Sequence, residues 1–482
     1  MNITKRVVAM FLCMATVLFA VYTAKTEVLV PQEEKQEDRD SLVIWYTDES
    51  LTDYINHSCV AYNEQYGVRV IPRLQSGDEY LEQINTASIA MEGAPDLYLL
   101  TNDMLERAYL GGLATKIAMD NTEIGSNFPR AAKQAVTYKD KFVAYPFYFE
   151  TSAFIYNRSY LYEMASNKLM ADESTEPGEE VDGGSIETEG VDAESSLSTE
   201  EKIENRIHEA IPKTFEELME FANEFDAPPA VETIFKWDVK DIFYNYFFVG
   251  NYMDVGGENG DDSSLINIYN MDVITALTVY QDFNQFFSFE YEDVSYDSVV
   301  QDFIDGKLVF ATATSDILKK LETAKEEGDF EFEYGVEKIP NLNDNLISRS
   351  LSVTSTVAVN GFSNKKDTAN SFAKYLTIAK AGDLYEMSGK LSACSVVTYN
   401  DELTKAFFRE YAESRPIPKM MATSNYWLLA EIAFSNIWSG KNVSSEVKNL
   451  SEQIKEQVTG VIVSEEYIDV PDSDEGDIEY LD

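Results

Sequence analysis

Apolar and polar positions recur along this chain at two spacings, and the places where one gives way to the other mark out strands and helices. Leu42-Val43-Ile44-Trp45-Tyr46 is an unbroken apolar run of strand length that stops at Thr47-Asp48-Glu49. Ser50, with Asp53 three residues on, reads as the cap of a helix whose apolar stripe is Leu51, Tyr54, Ile55, Cys59 and Tyr62 and whose stop is Gly67. Residues 68–71 return to the strand pattern, which predicts a β-α-β unit with a parallel, right-handed crossover. A third strand is predicted at 97–100, leading into the loop Thr101-Asn102-Asp103. Thr214 and Glu217 read as a capping box. Helical spacing then covers 271–289, 295–305, 315–327, 364–379, 424–439 and 444–458, with strands at 308–312, 330–336 and 353–359. Short strands alternating with helices predict layered α/β lobes.

The pattern changes character at the amino terminus. Lys5-Arg6 precede an apolar run from Val7 to Ala24, long enough to span about 27 Å as a helix. Basic residues before the run and acids after it predict residues 1–6 in the cytoplasm and the rest outside. Tyr22-Thr23-Ala24 offers no small-x-small cleavage site, and Cys13 follows bulky Phe11-Leu12. The run therefore reads as an uncleaved anchor or an atypical signal, with residues 25–40 as an acidic linker.

Charge and composition narrow the chemistry. The chain has 482 residues and a net charge of −47, a surface that repels phosphate backbones, so no nucleic-acid partner is expected. About half of the imbalance sits in residues 31–40, 172–209 and 464–482. Segment 167–210 is rich in Glu, Ser, Thr, Gly and Asp and is expected to be a disordered acidic insertion, with 464–482 a disordered acidic tail. Only His57 and His208 are present, too few for a histidine-based triad or a multi-histidine metal site. Cys13, Cys59 and Cys394 are too scattered for a disulfide framework, a Cys59–Cys394 bridge staying open. Gly256-Gly257 in GGENGDD matches no phosphate-binding pattern, and no cofactor or metal is expected. Asp48 and Glu49 form a carboxylate pair, but glycoside cleavage needs two carboxyls roughly 5–9.5 Å apart facing each other across the bond, so no enzyme is expected.

SLVIWYTDES, AYNEQYGVRV, MEGAPDLYLLTND, KDKFVAYPFYFETSAFIYNRSYL, IPKTFEELMEFANEF, FIDGKLVFATAT and RPIPKMMATSNYWLLAEIAFSNIWSG follow one another between about Leu42 and Val461. This ordered set resembles the landmarks of the extracellular solute-binding proteins of ABC importers, and within them the maltose/maltodextrin-binding branch. The resemblance implies a two-lobed, periplasmic-binding-protein-like α/β fold with a hinge of crossing strands near 149–152, 354–356 and 393–399. Lobe I would comprise 41–149 plus 355–395, and lobe II 150–354 plus 396–463. It places Glu49, Asp103 and Glu150 at positions of polar ligand contacts, and Phe243 and Trp427 at positions of aromatic stacking. A sugar, bound by a monomer and passed to ABC permease subunits at the outer face of the cytoplasmic membrane, is the implied role. Leu100 stands where the branch stacks a tryptophan, and the ATATSD segment lacks another. These departures motivate the alternative of a membrane-anchored sensor or scaffold with no transport role.

Overall fold

The computed structural model describes residues 41–175, 197–287 and 294–469. The apolar run at 7–24, the linker at 25–40 and the tail from 470 onward lie outside the described residues. Among the described residues, no helix is long and apolar enough to cross a membrane.

Ten strands form one mixed sheet. They are β1 (Leu42–Tyr46), β2 (Val70–Leu74), β3 (Leu97–Thr101), β4 (Tyr145–Asn157), β5 (Thr233–Lys236), β6 (Leu308–Thr314), β7 (Tyr334–Glu337), β8 (Leu351–Val359), β9 (Leu391–Ser392) and β10 (Arg415–Pro416). The order is β2-β1-β3-β8-β4-β6-β5, with β7 and β9 on β4 and β10 on β8. β2, β1 and β3 are parallel, as the β-α-β reading requires. The helix between β1 and β2, α1 (Thr52–Tyr66), buries Tyr54, Ile55, Cys59 and Tyr62 and ends at Gly67 in the left-handed conformation, φ 68°. Its start differs from the expected Ser50 cap. Asp48 takes that role, its Oδ1 accepting from the Ser50 amide at 3.0 Å over a short turn, Glu49–Leu51. At the second predicted box, Thr214 does cap its helix, but Glu217 reaches one residue farther back, to the Lys213 amide at 2.6 Å.

β4 holds the two lobes together. Its first seven residues pair antiparallel with β8, from Tyr145↔Val357 to Thr151↔Ser352. From Ser152 onward it pairs with β6 and β7 instead. β8 changes partners too, with β3 along 355–359 and β10 along 351–352, and its register on β4 slips between Ser355 and Thr356. Two of the three expected crossings, near 149–152 and 354–356, fall where the sequence placed them. A helix, α2 (Glu402–Glu413), covers them: Tyr411 stacks on Phe149 at 3.9 Å and 3°, and its hydroxyl lies 2.8 Å from Thr354 Oγ1. The residue before Tyr411, Glu410, is buried. Burial pushes its carboxyl up to about 7, opposed by hydrogen bonds from Ser350 and the Ile339 amide and by Lys338, while Glu413 adds to the rise.

The loop GGENGDD locks the lobes at a second place. Glu258 Oε2 accepts from Arg130 and Gln134, each at 2.8 Å, and Arg349 lies 3.6 Å away. Asp261 Oδ2 accepts from the Lys139 amide at 2.6 Å. Gly260 adopts φ 61°, and a Cβ there would lie 2.7 Å from Pro418 Cα, so backbone meets backbone.

The expected disordered insertion at 167–210 is corrected over much of its length. Helices Arg158–Thr175 and Thr199–Ala210 flank the undescribed 176–196 and pack on each other. Ile203 and Ile207, one turn apart, bury on that contact, and Ser198 with Glu201 forms a capping box. Two apolar residues at helical spacing outweigh an acidic composition once a partner helix is present. The start of the tail is corrected as well: Ile468 N donates to the Tyr269 hydroxyl at 2.7 Å, and Ser444 Oγ donates to Ile468 O at 2.7 Å. Cys59 and Cys394 are both buried free thiols, which closes the question of a bridge.

Two stability experiments test this framework. Because the folded-state pKa of Glu410 is raised, the folded protein keeps a proton that the unfolded chain releases, and stability falls as pH climbs from about 4.5 to 7. Glu410→Gln removes that penalty: its gain in urea-unfolding free energy should grow over this window and level off above it, at no more than about 3 kcal/mol. Parallel pH curves for the two proteins would show that the carboxyl is not the cause. Gly260→Ala should lose at least about 2 kcal/mol, from strain at positive φ and the clash at Pro418. Gly125→Ala, in a helix with open space around it, should be neutral or slightly stabilising.

Candidate functional site

A cavity of about 670 Å³ opens at the carboxyl ends of β1 and β3. Open α/β sheets leave room there because the chain turns away in opposite directions from adjacent strand ends. Thr47 and Asp48 follow β1, Thr101 and Met104 follow β3, and Tyr148 of β4 and Ser355 of β8 close the floor. The cavity therefore rests directly on both crossing strands.

Two of its lining residues, Asp48 and Tyr148, meet one lysine just outside the lining. Lys390 Nζ pairs with Asp48 Oδ2 at 3.3 Å and Glu150 Oε1 at 3.1 Å and lies 5.4 Å from the centre of the Tyr148 ring. Burial works to lower its pKa, but Glu150, Tyr148 and Asp48 outweigh that and hold it above the ordinary lysine range. Burial likewise works against the Asp48 carboxylate, and bonds from Ser50 with the charge of Lys390 hold its pKa below the usual value. Lys390 and Asp48 are therefore both charged throughout the neutral range. Asp48 is thus spent on a turn and an ion pair, not on a partner carboxylate. At the rim, Arg107 and Glu82 sit 3.9 Å apart, both mostly exposed, a pair worth little.

None of the five residues singled out in the sequence is itself among the residues lining this cavity. Glu49 is exposed beside Asp48. Glu150 adjoins Tyr148 and is bound into the lysine triad. Asp103 sits between Thr101 and Met104, with Oδ1 buried and without a partner among the described residues, and desolvation raises its pKa against hydrogen bonds from Thr101 and the Asp103 and Met104 amides. Phe243 and Trp427 belong to the other lobe, on the packed helices Ile242–Asn245 and Tyr426–Trp438. Both are half-buried. Phe243 meets Tyr244 edge-on at 5.5 Å, and Tyr244 stacks on Tyr296 at 5.0 Å. Trp427 meets Tyr246 at 5.9 Å and Tyr426 at 4.8 Å. So the structure sets Glu49, Asp103 and Glu150 beside residues that line one cavity, and puts Phe243 and Trp427 on two packed helices elsewhere, each in its own ring contacts.

Sequence reasoning missed Tyr148 and Lys390. Tyr148 was within reach, being inside the YPFYFE crossing. Lys390 follows the plain turn Ser388-Gly389 and carries no local signal; the fold alone brings it to residues 240 positions away in the chain. The ATATSD segment supplies Asp316 rather than a platform, its Oδ1 accepting from Tyr296 and Thr314 at 2.5 Å each.

With this geometry in place, the family can be stated. A match to the family described as bacterial extracellular solute-binding protein covers residues 58–406, and the chain belongs to that family. Solved structures show the same fold. An extracellular solute-binding protein from Staphylococcus aureus in complex with maltose is 18% identical, with TM-score 0.68 over 87% of this chain and 98% of its own. A cyclo/maltodextrin-binding protein complexed with maltotetraose is 17% identical, with TM-score 0.67 over 87% and 97%. A maltose-binding periplasmic protein from Listeria monocytogenes in complex with maltose is 21% identical, with TM-score 0.66 over 88% and 99%. No curated protein matches the chain.

The unpartnered Asp103 oxygen has a measurable consequence. A carboxyl whose folded-state pKa is raised destabilises the protein as pH rises past its ordinary value. Asp103→Asn should therefore raise the unfolding temperature of the ligand-free protein at pH 8, by up to about 1 kcal/mol in free energy, and by less at pH 4. Destabilisation at pH 8 would mean that the carboxylate is satisfied after all.

Proposed function

We propose that this solute-binding protein captures an oligosaccharide of the maltodextrin type between its lobes and delivers it to an ABC permease. The observation that carries the reading is the position of the cavity: it sits at the ends of β1 and β3 and is floored by both crossing strands, so a bound solute touches the hinge. The neighbours in fold, solved with maltose or maltotetraose, support a sugar. The chemistry is suitable, since carboxylates fork hydrogen bonds to adjacent hydroxyls and aromatic faces cover the C–H patches of a pyranose. Glu49, Asp103 and Glu150 supply the polar contacts on this reading, and Phe243 and Trp427 the stacking. Lobe I is 41–149 plus 355–395, and lobe II is 150–354 plus 396–463. Contacts from both lobes favour the closed form, which the permease recognises. The protein acts as a monomer outside the cytoplasmic membrane, carried there by the run at 7–24 as anchor or signal.

One observation favours a second reading. Lys390 already satisfies an oxygen of Asp48 and one of Glu150, and the wall near Leu100 is aliphatic, as in an anchored sensor or scaffold without a transported ligand.

A thermal-shift panel of maltose to maltopentaose, other sugars, amino acids and polyols separates the two, with calorimetry on each hit. A ligand at 100 times its Kd should add about 2.7 kcal/mol, a rise of a few degrees, and Trp427→Ala should weaken it at least tenfold. A panel that moves nothing would favour the scaffold.

A further inference from the structure

The two carboxylates held by Lys390 are not equally occupied. Asp48 Oδ1 accepts from both the amide and the hydroxyl of Ser50, at 3.0 and 2.6 Å, while Oδ2 faces the ammonium. All of Asp48 is anchored. Glu150 gives only Oε1 to Lys390, and its Oε2 has no partner among the described residues. Lys390 Nζ donates to Glu150 Oε1 and pairs with Asp48 Oδ2, and among the described residues no acceptor takes a third of its protons. A spare donor and a spare acceptor therefore stand side by side, against the cavity-lining residues Asp48 and Tyr148.

That arrangement matches two hydroxyls on adjacent carbons. One can donate to Glu150 Oε2 while its neighbour accepts from the ammonium, both bonds being charge-assisted. We infer that Lys390 is a positioning and specificity residue of the solute site: it fixes Glu150 and, with that carboxylate's free oxygen, forms a fork for a vicinal diol. The inference deepens the oligosaccharide reading above and rests on it. Asp48 is the anchor that aims the lysine. Without Lys390, the Asp48 and Glu150 carboxylates would face each other with no cation between them and would turn toward water. The groups facing Lys390 are Asp48, Glu150 and Tyr148, and they keep the lysine charged near neutral pH.

Calorimetry of maltotriose, and of maltose analogues each lacking one hydroxyl, tests this on wild type, Lys390→Met and Lys390→Arg. Lys390→Met should bind maltotriose roughly 10- to 100-fold more weakly. Lys390→Arg should recover part of the loss, since it keeps the charge but places its donors in a planar fork. The discriminating result lies in the analogues. At least one missing hydroxyl should weaken wild type strongly and make little further difference in Lys390→Met. Equal binding of maltotriose by wild type and Lys390→Met overturns the inference alone. So does a uniform loss that leaves every single-hydroxyl penalty unchanged, the mark of a merely structural lysine. Should Lys390→Met not fold, the altered penalty in Lys390→Arg decides. If wild type binds no maltodextrin, the oligosaccharide reading falls and this inference falls with it.

Discussion

The structure depends on the continuity of one strand. β4 runs thirteen residues without interruption and exchanges all of its partners between Thr151 and Ser152. Every backbone group on it must find a partner in one lobe or the other, because an unpaired amide or carbonyl in so buried a place costs as much as a lost hydrogen bond. The lobes therefore cannot separate without breaking a ladder; they can only bend about it. The Phe149–Tyr411 stack and the Thr354–Tyr411 contact stiffen this point from one face. Glu410, buried beside them, is tolerated because burial lets its carboxyl keep a proton up to about pH 7.

Much of this was legible in the sequence for identifiable reasons. Strand and helix periods survive in a single chain because each element buries one face, so β1, β3 and the helix stop at Gly67 fall where expected. The crossings were read through the ordered landmarks, YPFYFETSAF above all. What failed were inferences that needed a partner from elsewhere. The Ser50 cap was displaced by Asp48, whose second oxygen is aimed by Lys390. The acidic flanks of 176–196 looked unable to order because the surface that buries Ile203 and Ile207 is another helix. At the candidate site, Asp48 was weighed only as half of a carboxylate pair, and Lys390 was invisible.

A chain with net charge −47 uses its few cations with economy. Several lie inside, where carboxylates and carbonyls surround them. Lys419 is 1% exposed and donates from Nζ to the carbonyls of Gln134 and Asn259, and burial pushes its pKa down to about 8. Arg415 pairs with Asp254, and Arg349 approaches Glu258, at the joint made by the glycine-rich loop. An excess of acid on the surface pushes the lobes apart over distances up to the Debye length, about 10 Å at 0.1 M salt. Pairs screened from that salt by burial hold the joint in place. The same logic puts Lys390 between two carboxylates rather than in solvent.

These placements link the cavity to the hinge through shared atoms rather than through a path of intermediates. Glu150 is two residues before the position where β4 changes lobes, and its side chain is tied by Lys390 to Asp48 in the loop after β1. Tyr148 lines the cavity and pairs with both Ser355 of β8 and Ser392 of β9. A solute that engages this floor touches residues whose backbone belongs to the crossing strands. Its interaction energy must then differ between bent and straight forms of β4, and such a difference is all that a ligand needs in order to shift a population. The aromatic cluster around Tyr246 and Trp427 stands in the second lobe, and the joint at Glu258 and Lys419 spans both. On the proposed reading, capture by the floor and closure by the far lobe are one event, with the ladder of β4 as its axis.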